Sequence, residues 1–81
     1  MKLYDICILK TGFKLYSEGT YVILIDDGLK PIYMAEFWNF EEFNGAQIDA
    51  VDEEYLRLAM DVEIKEYQVR FKEYCDRNNN A

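Results

Sequence analysis

Apolar and polar positions follow two different periods in this chain, one typical of β-strands and one typical of a helix. Over residues 3–10 the apolar side chains alternate, with Ile6 and Ile8 on one face and Cys7 and Leu9 on the other. This alternation predicts a first β-strand. Near the end of the chain the period changes from two to seven, so we expect the chain to end in a helix.

A β-hairpin over residues 20–37 is the clearest local signal. Residues 21–25 are β-branched, aromatic or aliphatic without a break, which is typical of a strand covered on both faces. Residues 26–28, Asp-Asp-Gly, predict the turn, in which Gly28 takes a positive φ. Pro31 cannot donate a hydrogen bond to a neighbouring strand, so we place it first in the returning strand.

The remaining chain predicts two more strands and the helix. Residues 47–51 form a fourth strand, residues 53–55 a short turn, and residues 56–58 a short fifth strand. An amphipathic helix follows over residues 59–77. Its apolar stripe consists of Met60, Ile64, Tyr67, Phe71 and Tyr74. The alternative is a single helix over residues 52–77 held between the sheet and a partner, because extending the helix backwards creates a second, opposed apolar stripe.

Six short stretches carry a resemblance to a known family. They are Tyr-Asp-Ile-Cys-Ile-Leu-Lys at 4–10, Gly-Thr-Tyr-Val at 19–22, Asp-Asp-Gly at 26–28, Ala-Glu-Phe at 35–37, Gln-Ile-Asp-Ala-Val at 47–51 and Tyr-Leu at 55–56. Their order resembles a family of small bacterial and phage-borne SH3-like barrel proteins of uncharacterised function, and is similar to KOW-type and Tudor-type barrels. The resemblance covers about residues 3–58.

Together these features predict one α+β domain over residues 1–77. Residues 1–58 form a small antiparallel SH3-like β-barrel of four to five strands, and residues 59–77 form one C-terminal amphipathic helix. We expect residues 78–81 to be a disordered tail. A chain of 81 residues is long enough for a single core of this kind.

The net charge of −7 is concentrated in the middle of the chain. Residues 1–35 hold four acids and four bases, whereas residues 36–66 hold ten acids and two bases. Such a surface repels phosphate backbones and attracts basic partners. A KOW-type barrel that binds RNA would carry a basic face, which is missing here, so we expect no direct binding of nucleic acid.

The cysteines and the apolar runs indicate a cytoplasmic protein that does not cross a membrane. Cys7 and Cys75 lie far apart inside apolar patterns, and the acid at Asp5 interrupts any leader-like start, so both are expected to be buried thiols. No apolar run approaches the roughly 20 residues of a membrane span.

Residue types argue against an enzyme or a metal protein. The chain has no histidine and a single serine, Ser17, which removes the usual acid–base and nucleophile pairs. Paired carboxylates could in principle act as acid and base, but turn-forming neighbours favour a solvated loop. Two cysteines without histidine cannot complete a zinc site, and the acids do not follow the EF-hand register. We expect no cofactor.

An aromatic and acidic segment is the first candidate for partner binding. Its residues, with the acids that follow, are Glu36, Trp38, Phe40, Glu41, Glu42, Phe43, Asp49 and Asp52. Trp38 and Phe37 must face opposite ways on a strand, so if one is buried the other needs cover from a loop or a partner. The alternative for Phe40 and Phe43 is that they fold back to cap an open end of the barrel.

The helix stripe has two interpretations, packing on the chain's own sheet or forming a homodimer seam. On these grounds the sequence predicts a non-enzymatic acidic protein that engages, and inhibits, a basic protein partner, as immunity proteins, antitoxins and phage-encoded inhibitors do. The alternative is a homo-oligomeric structural or accessory subunit assembled through the C-terminal helix.

Overall fold

A five-stranded antiparallel sheet and one C-terminal helix make up the fold in the computed structural model, which describes residues 1–42 and 44–79. The strands are β1 (Ile6–Leu9), β2 (Tyr21–Leu29), β3 (Ile32–Trp38), β4 (Gln47–Asp52) and β5 (Leu56–Leu58). A 3₁₀ helix, Glu53–Tyr55, joins β4 to β5, and helix α1 runs from Asp61 to Asn79. The predicted α+β class is confirmed.

The strands lie in the order β4-β3-β2-β1-β5, and every neighbouring pair is antiparallel. This order is compatible with the predicted SH3-like barrel. β5 pairs with β1, where Cys7 faces Leu58, so the chain forms a strand before the helix rather than one helix from residue 52. The helix begins two residues later and ends two residues later than predicted, so Asn78 and Asn79 belong to it rather than to a tail.

The hairpin between β2 and β3 corrects the predicted turn. β2 continues through Asp26 and Gly28 to Leu29, and the chain reverses at Lys30–Pro31, which is a cis peptide bond. The strand pairing shifts register twice on the way, and Gly28 N–H donates to the Asp26 carboxylate at 2.8 Å. Gly28 does not take a positive φ, because bulges in the strand, not a tight turn, accommodate these residues.

Both faces of the sheet carry apolar side chains, and different parts of the chain cover them. The inner core contains Cys7, Leu9, Tyr16, Val22, Leu24, Tyr33, Ala35, Phe37, Val51 and Leu56. On the outer face, Ile8, Tyr21 and Trp38 are buried together beneath side chains of α1, and we call these three residues the outer cluster. The strands therefore alternate between two cores, which explains why residues 21–25 contain no polar position.

The two cysteines are free thiols. Cys7 is fully buried in the inner core, and burial raises the pKa of its thiol to about 12. The predicted buried thiol is confirmed at Cys7, whereas Cys75 on α1 is partly exposed.

Candidate protein-binding surface

Trp38, the first predicted binding residue, lies beneath helix α1. It occupies the last position of β3 and only 7% of its surface is exposed. The rings of Phe71 and Tyr74 meet its indole edge to face, with centroids 5.3 and 5.4 Å away. Its Nε1–H donates to the Glu36 carboxylate at 3.1 Å. Helix α1 therefore supplies the cover that was expected from a loop or a partner, and Trp38 is not accessible as a binding residue in this structure.

Phe40 follows Trp38 into the same cluster. It is partly buried, its ring stacks on Trp38 at 5.4 Å, and it contacts Tyr67 at 5.9 Å. Phe40 therefore folds back onto the outer cluster, which leaves it partly covered by the chain itself. Phe43, predicted to act with it, lies outside the described residues.

The helix stripe packs on the chain's own sheet through its last three residues. Tyr67 and Tyr74 are partly buried against the outer cluster, and burial raises the pKa of Tyr67 to about 12. Phe71 touches Trp38 and Tyr67 while remaining 37% exposed. This packing matches the intramolecular interpretation of these residues. At the N-terminal end of the stripe, Ile64 is partly buried and Met60 is exposed. A homodimer seam stays a prediction.

The loop before β4 approaches helix α1 closely where Gly45 meets Tyr74, a residue that packs against the outer cluster. Gly45 has a φ of 114°, and a Cβ at this position would lie 3.0 Å from the Tyr74 hydroxyl oxygen. Only glycine combines this backbone conformation with the space that Tyr74 leaves. The loop is thus shaped by the helix that it packs against.

Two of the five predicted acids, Glu41 and Glu42, are exposed. Glu41 lies 3.4 Å from the guanidinium of Arg70 on α1, and Glu42 accepts a hydrogen bond from Ser17 at 3.3 Å. Contacts of this kind between exposed groups are weak and compete with water. Both carboxylates are therefore accessible to a partner.

The other three predicted acids have structural roles as well as charge. Asp49 accepts from the Lys14 ammonium at 2.6 Å, and this hydrogen bond, the largest influence on the group, lowers the pKa of Asp49. Asp52 accepts from Glu54 N–H at 2.9 Å and so caps the 3₁₀ helix. Glu36 is partly buried and holds the Trp38 indole.

An ion pair that the sequence analysis did not identify fixes the start of α1. Both terminal nitrogens of Arg57 on β5 donate to the Glu63 carboxylate, each at 2.7 Å. Glu63 also accepts from the Met60 backbone N–H at 2.8 Å, as the third residue of a helix does in one half of a capping box. Glu63 thereby ties the helix to the last strand of the sheet.

Glu63 should make the protein's stability depend on pH in acid. The hydrogen bonds from Arg57, followed by that from Met60, hold the pKa of Glu63 at about 2, against an ordinary value of 4.5. The stability that this carboxylate contributes is fully present above pH 4.5 and is lost as pH falls through about 2. We expect Glu63→Gln to lower the melting temperature by several degrees at neutral pH and by much less at the acid end.

Thermal unfolding followed by circular dichroism across this range checks the pH dependence. Glu73→Gln, on an exposed part of the same helix, is the matched control because it removes the same charge without breaking the pair. Equal melting temperatures for Glu63→Gln and the wild type at neutral pH would contradict the structural role of this carboxylate.

Helix α1 covers only part of the outer face of the sheet. The uncovered part carries an outer-face strip of apolar side chains, which we define as Leu29, Ile32, Met34, Ile48 and Ala50. Leu29 is 79% exposed and Ile48 is 56% exposed. A depression of about 230 Å³ is lined by Asp26, Leu29, Ile32, Met34 and Ala50.

Three strand pairings in the outer-face strip place an acid beside an apolar residue. Ile32 pairs with Asp52 and Ile48 pairs with Glu36 between β3 and β4. Met34 pairs with Asp26 between β3 and β2. Residues that pair across an antiparallel sheet lie on the same face, so the three acids border the apolar strip directly.

Within residues 1–42 and 44–79, no three His, Cys, Asp or Glu side chains are arranged to hold a metal ion. In the same part of the chain, no helix has the length and apolar character required to cross a membrane.

Comparison with known proteins gives no relative from which a function could be transferred. No protein-family model matches the chain, and the curated proteins and solved structures return no significant match.

Proposed function

We propose that this chain is a non-enzymatic acidic binding protein that engages a basic protein partner. The supporting observation is the set of carboxylates left without an ion-pair partner within 4.0 Å among the described residues. These are Asp5, Glu18, Asp26, Glu36, Glu42, Asp52, Glu54, Asp61 and Glu73. The bases without such a pair in the same residues are Lys2, Lys10, Lys65 and Arg77, so the free charge is strongly negative.

This charge distribution suits fast recognition of a positively charged surface. A field of one sign raises the rate at which an oppositely charged protein arrives and suppresses like-charged partners. Immunity proteins, antitoxins and phage-encoded inhibitors of nucleic-acid-handling enzymes are small acidic proteins of this kind, and inhibition is the activity that we propose. The cytoplasm is the proposed location, because Cys7 and Cys75 are free thiols.

Reversing the charge of the two exposed loop acids, Glu41 and Glu42, should slow association with the partner. The partner would be trapped by chemical cross-linking in cells, identified, purified and mixed with the protein in a stopped-flow instrument. We expect Glu41→Lys with Glu42→Lys to lower the association rate constant about tenfold at low salt and to flatten its salt dependence. Dissociation should change much less, because exposed charges act mainly before the complex forms.

The same measurements separate this proposal from nucleic-acid binding. Fluorescence anisotropy with duplex DNA and duplex RNA at physiological salt should show no binding, since phosphates meet an excess of carboxylates. A purified partner with net negative charge, an association rate that salt does not change, or micromolar duplex affinity would each overturn the proposed function.

A further inference from the structure

The outer-face strip combines the features of a docking surface for a particular kind of partner segment. This inference rests on the proposed function and names the part of a partner that the protein would bind. The strip is an apolar continuation of the same sheet face that packs against α1. The chain therefore already shows that a helix can pack on this face.

The dimensions of the strip match a short helix. From Ile32 to Glu36 along β3 the surface extends about 14 Å, at about 3.4 Å per residue. Between two and three helical turns of about 5.4 Å cover this length. A helix with apolar side chains at positions i, i+3 or i+4, and i+7 would place them over Ile32, Met34 and Ile48.

The negative charge around the strip favours a partner segment with positive charge. Asp26, Glu36 and Asp52 border the apolar residues, and none of the three is in an ion pair with a base of the described chain. A second copy of this protein would bring like charges together at the same surface, which opposes association. Lysine or arginine side chains beside the apolar stripe of a partner would instead meet all three carboxylates.

The geometry points to the outer-face strip as the docking surface for a basic amphipathic helix of the partner protein. The apolar side of that helix packs on Leu29, Ile32, Met34, Ile48 and Ala50, and its basic side chains pair with the bordering acids. Fluorescence anisotropy with a labelled 18-residue peptide that carries leucines on one helical face and lysines beside them tests this assignment. A scrambled peptide of the same composition and charge is the control.

Two triple variants with the same net charge isolate the acids of the strip. Asp26→Asn, Glu36→Gln and Asp52→Asn neutralise them while keeping the oxygens that accept from Gly28, Trp38 and Glu54. The control triple is Asp5→Asn, Glu18→Gln and Glu73→Gln, which neutralises acids away from the strip. We expect the first triple to weaken peptide binding about tenfold and the second less than about threefold.

Met34→Ser tests the apolar part, and the side chain is exposed enough, at 40%, for the fold to tolerate the change. We expect it to weaken peptide binding about fivefold. Peptide-induced NMR shifts on the wild-type protein should concentrate in β3 and β4, a result that needs no variant to fold.

The outcomes separate this assignment from the proposed function. The strip would not be the docking surface if both triple variants weakened peptide binding equally, if the scrambled peptide bound equally well, or if the NMR shifts were centred on α1. Each of these results would leave a general acidic binding role intact. Absence of peptide binding up to about 1 mM would also overturn the assignment of the strip as the docking surface. A wild-type dimer that Met34→Ser dissociates in sedimentation would show a second copy as the occupant and overturn it too. Only the experiment with the purified partner decides the proposed function.

Discussion

Replacing Trp38 with alanine should destabilise the fold by about 3–5 kcal/mol, the usual cost of removing a large buried aromatic side chain. Trp38 is the centre of the contact between the sheet and α1, because Phe40, Tyr67, Phe71 and Tyr74 all touch its ring. Truncation would leave a cavity that all four rings surround. The loss is a large fraction of the roughly 5–15 kcal/mol that stabilises a typical domain.

Urea unfolding followed by far-ultraviolet circular dichroism measures this loss of stability, and it does not depend on tryptophan fluorescence, which the variant lacks. Leu15→Ala is the control, since Leu15 is 65% exposed and its truncation should cost little. A double-mutant cycle with Phe71→Ala should give a coupling energy of about 0.5–1.5 kcal/mol, as aromatic pairs do. If Trp38→Ala kept the stability of the wild type, α1 would not pack on the sheet as described.

Phe37→Ala should produce a loss of similar size, about 3–5 kcal/mol, by emptying the inner core instead of the outer cluster. Phe37 is fully buried on the opposite face of β3 from Trp38, and its ring stacks on Tyr16 with centroids 4.1 Å apart. The ring of Phe13 also stacks with Phe37, with centroids 6.1 Å apart. The aromatic residues of the loop before β2 would lose the surface on which they pack.

The Phe37 prediction is also checked by urea unfolding, with tryptophan fluorescence as a second probe. Leu29→Ala on the same hairpin is the matched control, because Leu29 is 79% exposed. Phe37→Leu should cost clearly less than Phe37→Ala, since it removes less volume. Equal stability of Phe37→Ala and Leu29→Ala would contradict a packed inner core.

Local patterns were sufficient to predict most elements of the fold. The alternation before residue 10 and the seven-residue period after residue 59 each belong to one element, so no distant contact is needed to recognise them. The prediction of a turn at residues 26–28 was wrong because it also relied on local sequence alone. Asp-Asp-Gly is strong turn chemistry, but pairing with β3 extends the strand through it, and the chain reverses at Lys30–Pro31 instead.

The candidate surface depended on contacts that no local pattern contains. Alternation shows that Trp38 and Phe37 face opposite sides, yet which element covers each side is decided by where α1 lies. The outer-face strip was missed because its residues, such as Met34 and Ile48, have the same spacing as covered ones. The acids Asp26 and Glu36 become its neighbours only through strand register.

The ion pair between Arg57 and Glu63 has a consequence for local unfolding and aggregation. If detachment that began at the start of α1 spread to Tyr67 and Phe71, Tyr21 and Trp38 would be exposed on the same sheet face as the outer-face strip. Extended apolar surfaces of this kind on a sheet promote self-association. Holding the first turn of α1 to β5 raises the free energy of this partly opened state, so amide hydrogen exchange in α1 reports directly on the chain's protection against aggregation.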